Sequence, residues 1–198
     1  MKRILWMFIA TVAGAAPASA QAKWEPNKFK DNERYEYKIA LPQDEKAKEL
    51  FYAVEVKSTG KKDESGEELV ELSYTTRSTV KKSELGERTA FGGGEMAGYS
   101  AMWAMSSAMY AAYFKDLEMK EGEKLSLFGM GTLKVTGKVK IADRDGFICK
   151  LFTKKDDKEF LQIEWAIDPG LALPLKTVWY EDDGKPKHSM ELVSYKKP

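Results

Sequence analysis

With 198 residues, 32 basic and 31 acidic side chains and a net charge of +1, the chain is long enough for one domain with a real core. It lacks the charge bias that would draw it to nucleic acid or an anionic membrane surface. A single cysteine, Cys149, excludes an intramolecular disulfide, and a single histidine, His188, leaves too few soft or imidazole ligands for a metal centre.

The first twenty residues read as a cleavable export signal. Lys2 and Arg3 form a positive start, Ile4 to Ala16 is an uncharged apolar run, Pro17 breaks it, and Ala18-Ser19-Ala20 presents the small residues a signal peptidase needs. The apolar run is thirteen residues, short of the ~20 that span a bilayer. No cysteine stands at the cleavage site to take a lipid. The expectation is therefore a soluble mature chain outside the cytoplasm, not an integral membrane protein, with 21–198 as one β-rich domain. The leader holds two of the basic residues and no acidic one, so the mature chain carries 30 against 31, a net charge of −1.

Residues 21–32 are polar, with one proline, and read as a lead-in. Alternation then begins: Tyr35, Tyr37, Ile39 and Leu41 fall on one face and Arg34, Glu36 and Lys38 on the other, the signature of a half-buried strand. Tyr52, Val54 and Val56 repeat it, the charged stretch Lys61–Gly66 is a solvated turn, and Val70, Leu72 and Tyr74 open the next strand, which runs on toward Val80. Further strands are predicted at 123–128, 132–141, 146–153, 159–167, 173–181 and 188–196. Asp145-Gly146, Asp168-Pro169-Gly170 and Asp183-Gly184 are the turn signals between them. Nine strands with short links imply a mainly antiparallel sheet.

Residues 95–115 interrupt the pattern. From Met96 to Phe114 there is no charge and no Val, Ile, Leu or Pro, and alanine dominates, so a helix is predicted. At 100° per residue, Met96, Tyr99, Met102, Trp103, Met105, Met109, Tyr110, Tyr113 and Phe114 share one half of the wheel, opposite a face of Ala and Ser. The large face reads as core, as the lining of a ligand site, or as a membrane-inserting surface. The small face permits a close approach by a second surface. Gly92-Gly93-Gly94 upstream is a loop or a hinge.

Catalytic patterns fail one by one. His188 follows the Asp183-Gly184-Lys185-Pro186 turn and reads as a solvated hairpin residue, while Cys149 alternates with Phe147 and Leu151 and reads as a small buried hydrophobe. Gly98-Tyr99-Ser100-Ala101-Met102 lacks the second glycine of a nucleophile elbow. Gly92-Gly93-Gly94-Glu95 is no phosphate loop, and Asp143-Arg144-Asp145-Gly146 lacks the later ligands of a calcium loop. No enzyme, cofactor or metal is implied.

Five segments carry a resemblance: Asn32-Glu33-Arg34-Tyr35-Glu36-Tyr37; Lys120-Glu121-Gly122-Glu123-Lys124; Val135-Thr136-Gly137-Lys138-Val139 with Asp145-Gly146-Phe147; Leu171-Ala172-Leu173-Pro174-Leu175-Lys176; and Glu191-Leu192-Val193-Ser194-Tyr195. They resemble a family of exported bacterial proteins, a domain of unknown function associated with the curved half-barrel of the periplasmic lipoprotein carriers of the LolA/LolB type. The resemblance implies a mainly β (α+β) fold, a curved antiparallel sheet or half-barrel of about nine strands with one long apolar helix packed on it, in the periplasm. It implies apolar space between sheet and helix, lined by the large face of 96–114, and no catalytic residue; Trp165 and Trp179, in strands with clear alternation, are either sheet-side contributors to that lining or plain core. Two functions are consistent with it. One is a non-catalytic binder of a hydrophobic ligand such as a lipid or acyl chain; the other is a cell-envelope protein-interaction or structural module. The leader reading has a direct check: exported protein should begin at Gln21 by intact-mass analysis, and protein retaining Met1 to Ala20 would refute it.

Overall fold

In the computed structural model of the chain the described residues are 23–40, 49–79, 81–85, 112–129, 131–155 and 158–197. Alternating side chains form nine strands: β1 (Arg34–Ala40), β2 (Glu49–Lys62), β3 (Glu68–Thr79), β4 (Lys124–Leu127), β5 (Gly131–Ile141), β6 (Arg144–Lys155), β7 (Lys158–Ile167), β8 (Lys176–Tyr180) and β9 (Pro186–Lys196). They make one antiparallel sheet in the order β3-β2-β1-β9-β8-β7-β6-β5-β4. Two meanders, β1–β3 and β4–β9, are thus joined by a single seam where the first strand pairs with the last. β5 and β9 touch although three strands lie between them in the order, so the sheet curves.

Every predicted strand is present, and three details differ. The β5–β6 turn is made by Ala142 and Asp143, both at positive φ (47° and 60°), the signature of a two-residue hairpin. Gly146, expected in that turn, lies inside β6, where an added Cβ would stand 2.7 Å from Leu175 Cδ1. It is a close-packing glycine. The strand predicted over 173–181 begins only at Lys176, because Leu171–Leu175 is a buried connection whose Leu-x-Leu-x-Leu spacing imitates a strand. Helix is scarce among the described residues: a 3-10 turn at Lys82–Glu84 and one turn over 112–114. The long apolar helix predicted near 95–115 is not seen there. Its residues 95–111 lie outside the described residues, as does the leader.

Directly paired residues of antiparallel strands share a face. The register therefore assembles one apolar face from Tyr52 and Val54, Tyr35 and Tyr37, Leu192 and Met190, Trp165 and Ile163, Cys149 and Leu151, and Val135 and Leu133. Irregular segments cover it. Trp24, Phe114, Leu117 and Met119 pack over the β4–β7 half, with Phe114 edge-on to both Trp24 (4.9 Å between centroids) and Trp165 (5.2 Å). Leu171, Ala172, Leu173 and Leu175 pack with β1, β2 and β9. Hydrogen bonds fix the cover to the sheet. Trp24 Nε1–H donates to the Leu171 carbonyl (2.8 Å), the Tyr37 hydroxyl to the Pro174 carbonyl (2.9 Å), and the Ala172 amide to the Tyr35 hydroxyl (3.1 Å).

Glu33 is buried at the start of β1, and its carboxylate is fully partnered. It accepts from the Tyr195 hydroxyl (2.5 Å), the Tyr35 hydroxyl (3.1 Å) and the Lys30 amide (2.9 Å). Burial, before any charge effect, pushes the phenols of Tyr35, Tyr37, Tyr52 and Tyr195 well above their ordinary value of 10.0. A raised folded-state pKa contributes stability that is complete below the unfolded value and lost above it. The melting temperature should therefore fall progressively as pH rises past 10.0, where the unfolded chain ionises first. An unchanged melting temperature through that range would show that these phenols are not buried.

Candidate functional site: the β3 edge

Of the side chains that the sequence offers as a ligand lining, Met96, Tyr99, Met102, Trp103, Met105, Met109 and Tyr110 lie outside the described residues. Tyr113, Trp165 and Trp179 are described. Trp165 is fully packed; Tyr113 and Trp179 are half-buried against it. An open cleft of about 320 Å³ at the β4–β5 end includes Ser126, Thr132, Lys154 and Glu159 in its lining. Lys134 reaches Glu159 at 3.1 Å. Leu127 and Phe152 line the cleft beside these polar groups.

Among the described residues no group of three or more His, Cys, Asp or Glu could hold a metal ion, and no helix is long and apolar enough to cross a membrane. His188 is not the solvated hairpin residue that its turn implies. It is half-buried and stacked on Trp179 with centroids 4.4 Å apart, and burial lowers its pKa, with Lys187 adding to the effect. Cys149 is buried as expected, its sulfur 3.9 Å from Met119 Sδ, and burial pushes the thiol up to about 12.

The surface that departs from ordinary behaviour is β3. It forms one edge of the sheet, and among the described residues no strand pairs with its outer side. Val70, Leu72 and Tyr74 stand opposite Ser58, Val56 and Val54 and so lie on the apolar face. Val56 and Val54 are 4% and 3% exposed, while Leu72 and Tyr74, one strand further out, are 47% and 59% exposed and Val70 is 50% exposed. Among the described residues the cover stops at β2. Tyr74 rests its ring on buried Tyr52 (centroids 6.2 Å, planes 16° apart), so the stripe is continuous with the core. On the opposite face Arg77 pairs with Glu36 at 2.9 Å and lies over the Phe51 ring at 4.8 Å.

Edge strands are normally blunted by shortness, proline, lysine or a bulge that twists the edge away. The other edge, β4, has four residues, including Lys124. β3 has twelve residues with no Pro, Lys or Gly, and its charges are Glu68, Glu71 and Arg77. The alternation of Val70, Leu72 and Tyr74 was visible in the sequence, but nothing local marks these residues as uncovered.

The described residues define a single-sheet antiparallel β protein with one long open edge. No protein-family model and no curated protein matches the chain. Among solved structures it is similar to MucB at 9% identity and TM-score 0.42, over 87% of this chain and 54% of that one. It is similar also to MucB in complex with MucA(peri), at 12% identity and TM-score 0.37, over 83% of this chain and 49% of that one. The Pseudomonas aeruginosa MucA/MucB complex gives 12% identity and TM-score 0.39, over 83% and 51%. The chain spans about half the length of these structures, and a likeness this distant transfers no residue role to it.

The buried thiol supplies a check on the strand faces. Cys149 in the native protein should react with a thiol reagent only on the timescale of structural opening, and at full rate in denaturant. Rapid stoichiometric labelling of the folded protein would mean that the face assignment of β6 is wrong.

Proposed function

We propose that the protein is a non-catalytic, exported interaction module of the cell envelope that engages another polypeptide at the β3 edge. The observation that carries this reading is the exposed Val70–Leu72–Tyr74 stripe on a long strand with an open side. Main-chain groups along such an edge supply affinity for an added strand, and alternate side chains supply selectivity. Leaving an apolar stripe in water also costs free energy that a partner would recover, at about 25 cal/mol per Å² covered.

Binding of a lipid or acyl chain, with the carrier-like role that the half-barrel resemblance implies, is less well supported. Of its described candidate residues, Trp165 is buried in the core, and Tyr113 and Trp179 are half-buried against that core. The remainder of that proposed lining lies outside the described residues.

A photoreactive residue placed at Leu72 of the full chain, expressed in its native cells, tests the proposal. A discrete protein adduct is expected, lost when Val70→Lys and Tyr74→Lys are added while the melting temperature stays within a few degrees of the parent. Labelling of lipid alone, or no adduct, would overturn it.

A further inference from the structure

We infer that the polypeptide seated on β3 is a second copy of this chain, with β3 pairing antiparallel to β3 about a twofold axis at Tyr74. The inference rests on the reading of β3 as an interaction edge and names the occupant of that edge.

The geometry of antiparallel pairing restricts the choices. Directly opposed residues must point to the same side, so a twofold axis must pass through a residue pair, and a one-residue displacement across the pair reverses every face. The pairing is then isologous, each contact occurring twice. With the axis at Tyr74, residues 69–79 of one copy run opposite 79–69 of the other, which uses nearly the whole of β3.

Charge selects this register. Within the paired span of β3 the ionisable acid and base are Glu71 and Arg77, both on the face away from the apolar stripe and both exposed. Centring on Tyr74 sets Glu71 of each copy opposite Arg77 of the other. Moving the axis to Ser73 would place Glu71 opposite Thr75 and Arg77 opposite Leu69. Moving it to Thr75 would place Glu71 opposite Thr79 and Arg77 opposite Ser73. Only the Tyr74 register of the three pairs opposite charges, and it does so twice.

The apolar face is compatible with this register. The two Tyr74 side chains meet at the axis, Leu72 faces Thr76, and Val70 faces Ser78. Each Leu72 lies diagonal to the Tyr74 of the other copy, within the reach of aromatic and long side chains across a strand pair. The stripe of each copy is thereby covered by Tyr74, Thr76 and Ser78 of its mate, and the register itself is chosen by charge. Arg77 keeps its hold on Glu36, since a guanidinium has five donors and can serve two carboxylates.

Charge reversal gives a decisive test. Wild-type exported protein should show a concentration-dependent monomer–dimer equilibrium by sedimentation velocity across the micromolar range. Glu71→Arg alone and Arg77→Glu alone each set like charges together at both positions of the symmetric pair and should sediment as monomers where wild type is dimeric. An equimolar mixture of the two variants should recover the dimer, because both cross-strand positions in the mixed pair again carry opposite charges. Should Arg77→Glu fail to fold for want of its Glu36 partner, cysteines serve instead. Ser73→Cys mixed with Thr75→Cys should give an oxidised heterodimer, and each variant alone should give far less. Monomeric wild type, a dimer indifferent to both charge reversals, or cysteine pairing in each variant alone would overturn the inference. A photo-adduct at Leu72 containing a different protein would remove the second copy as occupant and leave the interaction edge standing. Absence of any adduct would remove both.

Discussion

A single curved sheet with one apolar face must find something to cover that face, and in the described residues no second sheet or long helix does so. The cover is made of irregular backbone, which carries its own polar groups into the interior and must satisfy them there. Tyrosines solve this problem. Their rings fill the space between sheet and cover, and their hydroxyls replace the ladder that an irregular segment lacks: Tyr37 donates to Pro174 and Tyr35 accepts from Ala172. Trp24 does the same from the cover itself, donating to Leu171.

The same constraint accounts for Glu33. A buried carboxylate is tolerated only when its oxygens are hydrogen-bonded, and the two phenols and a main-chain amide provide those bonds. Because Tyr195 belongs to β9 and Tyr35 to β1, the carboxylate also clamps the seam between the meanders. The rings of these two tyrosines lie 5.1 Å apart, and Arg144 sits over Tyr195 at 5.5 Å while holding Asp168 of the connection. Cover and seam are thus stabilised by one set of side chains. Among the described residues that set ends at β2, and the exposure of β3 follows from its end.

Strands were legible wherever alternation and turn chemistry coincided, as at Tyr35–Tyr37 and around Asp183-Gly184. Leu171–Leu175 misled because a buried connection with apolar residues at every second position has the periodicity of a strand. Neither Trp24, in the polar lead-in, nor Glu33, just after it, has a period that marks it as buried, and their burial is decided by segments 147 and 162 residues away. The site was legible as a strand but not as an edge. Val54 and Leu72 share one pattern, and what separates a buried valine from an exposed leucine is the order of strands in the sheet, a property of distant pairing. The Met- and aromatic-rich stretch that dominates the sequence lies, for residues 95–111, outside the described residues.

The β1–β9 seam has a consequence for the order of events during synthesis. The first meander, β1–β3, needs no residue beyond Thr79 to pair its strands, but its cover comes from Leu171–Leu175 and its fourth neighbour is Pro186–Lys196. A ribosome must therefore make nearly the entire chain before the earliest strands can bury their tyrosines. Until then the nascent polypeptide has at most a three-stranded ribbon whose apolar face lacks the Leu171–Leu175 cover. Long-range closure of this kind is slow because loop entropy is lost before contacts compensate for it. It leaves a window in which the chain is still unfolded and can be threaded through a pore.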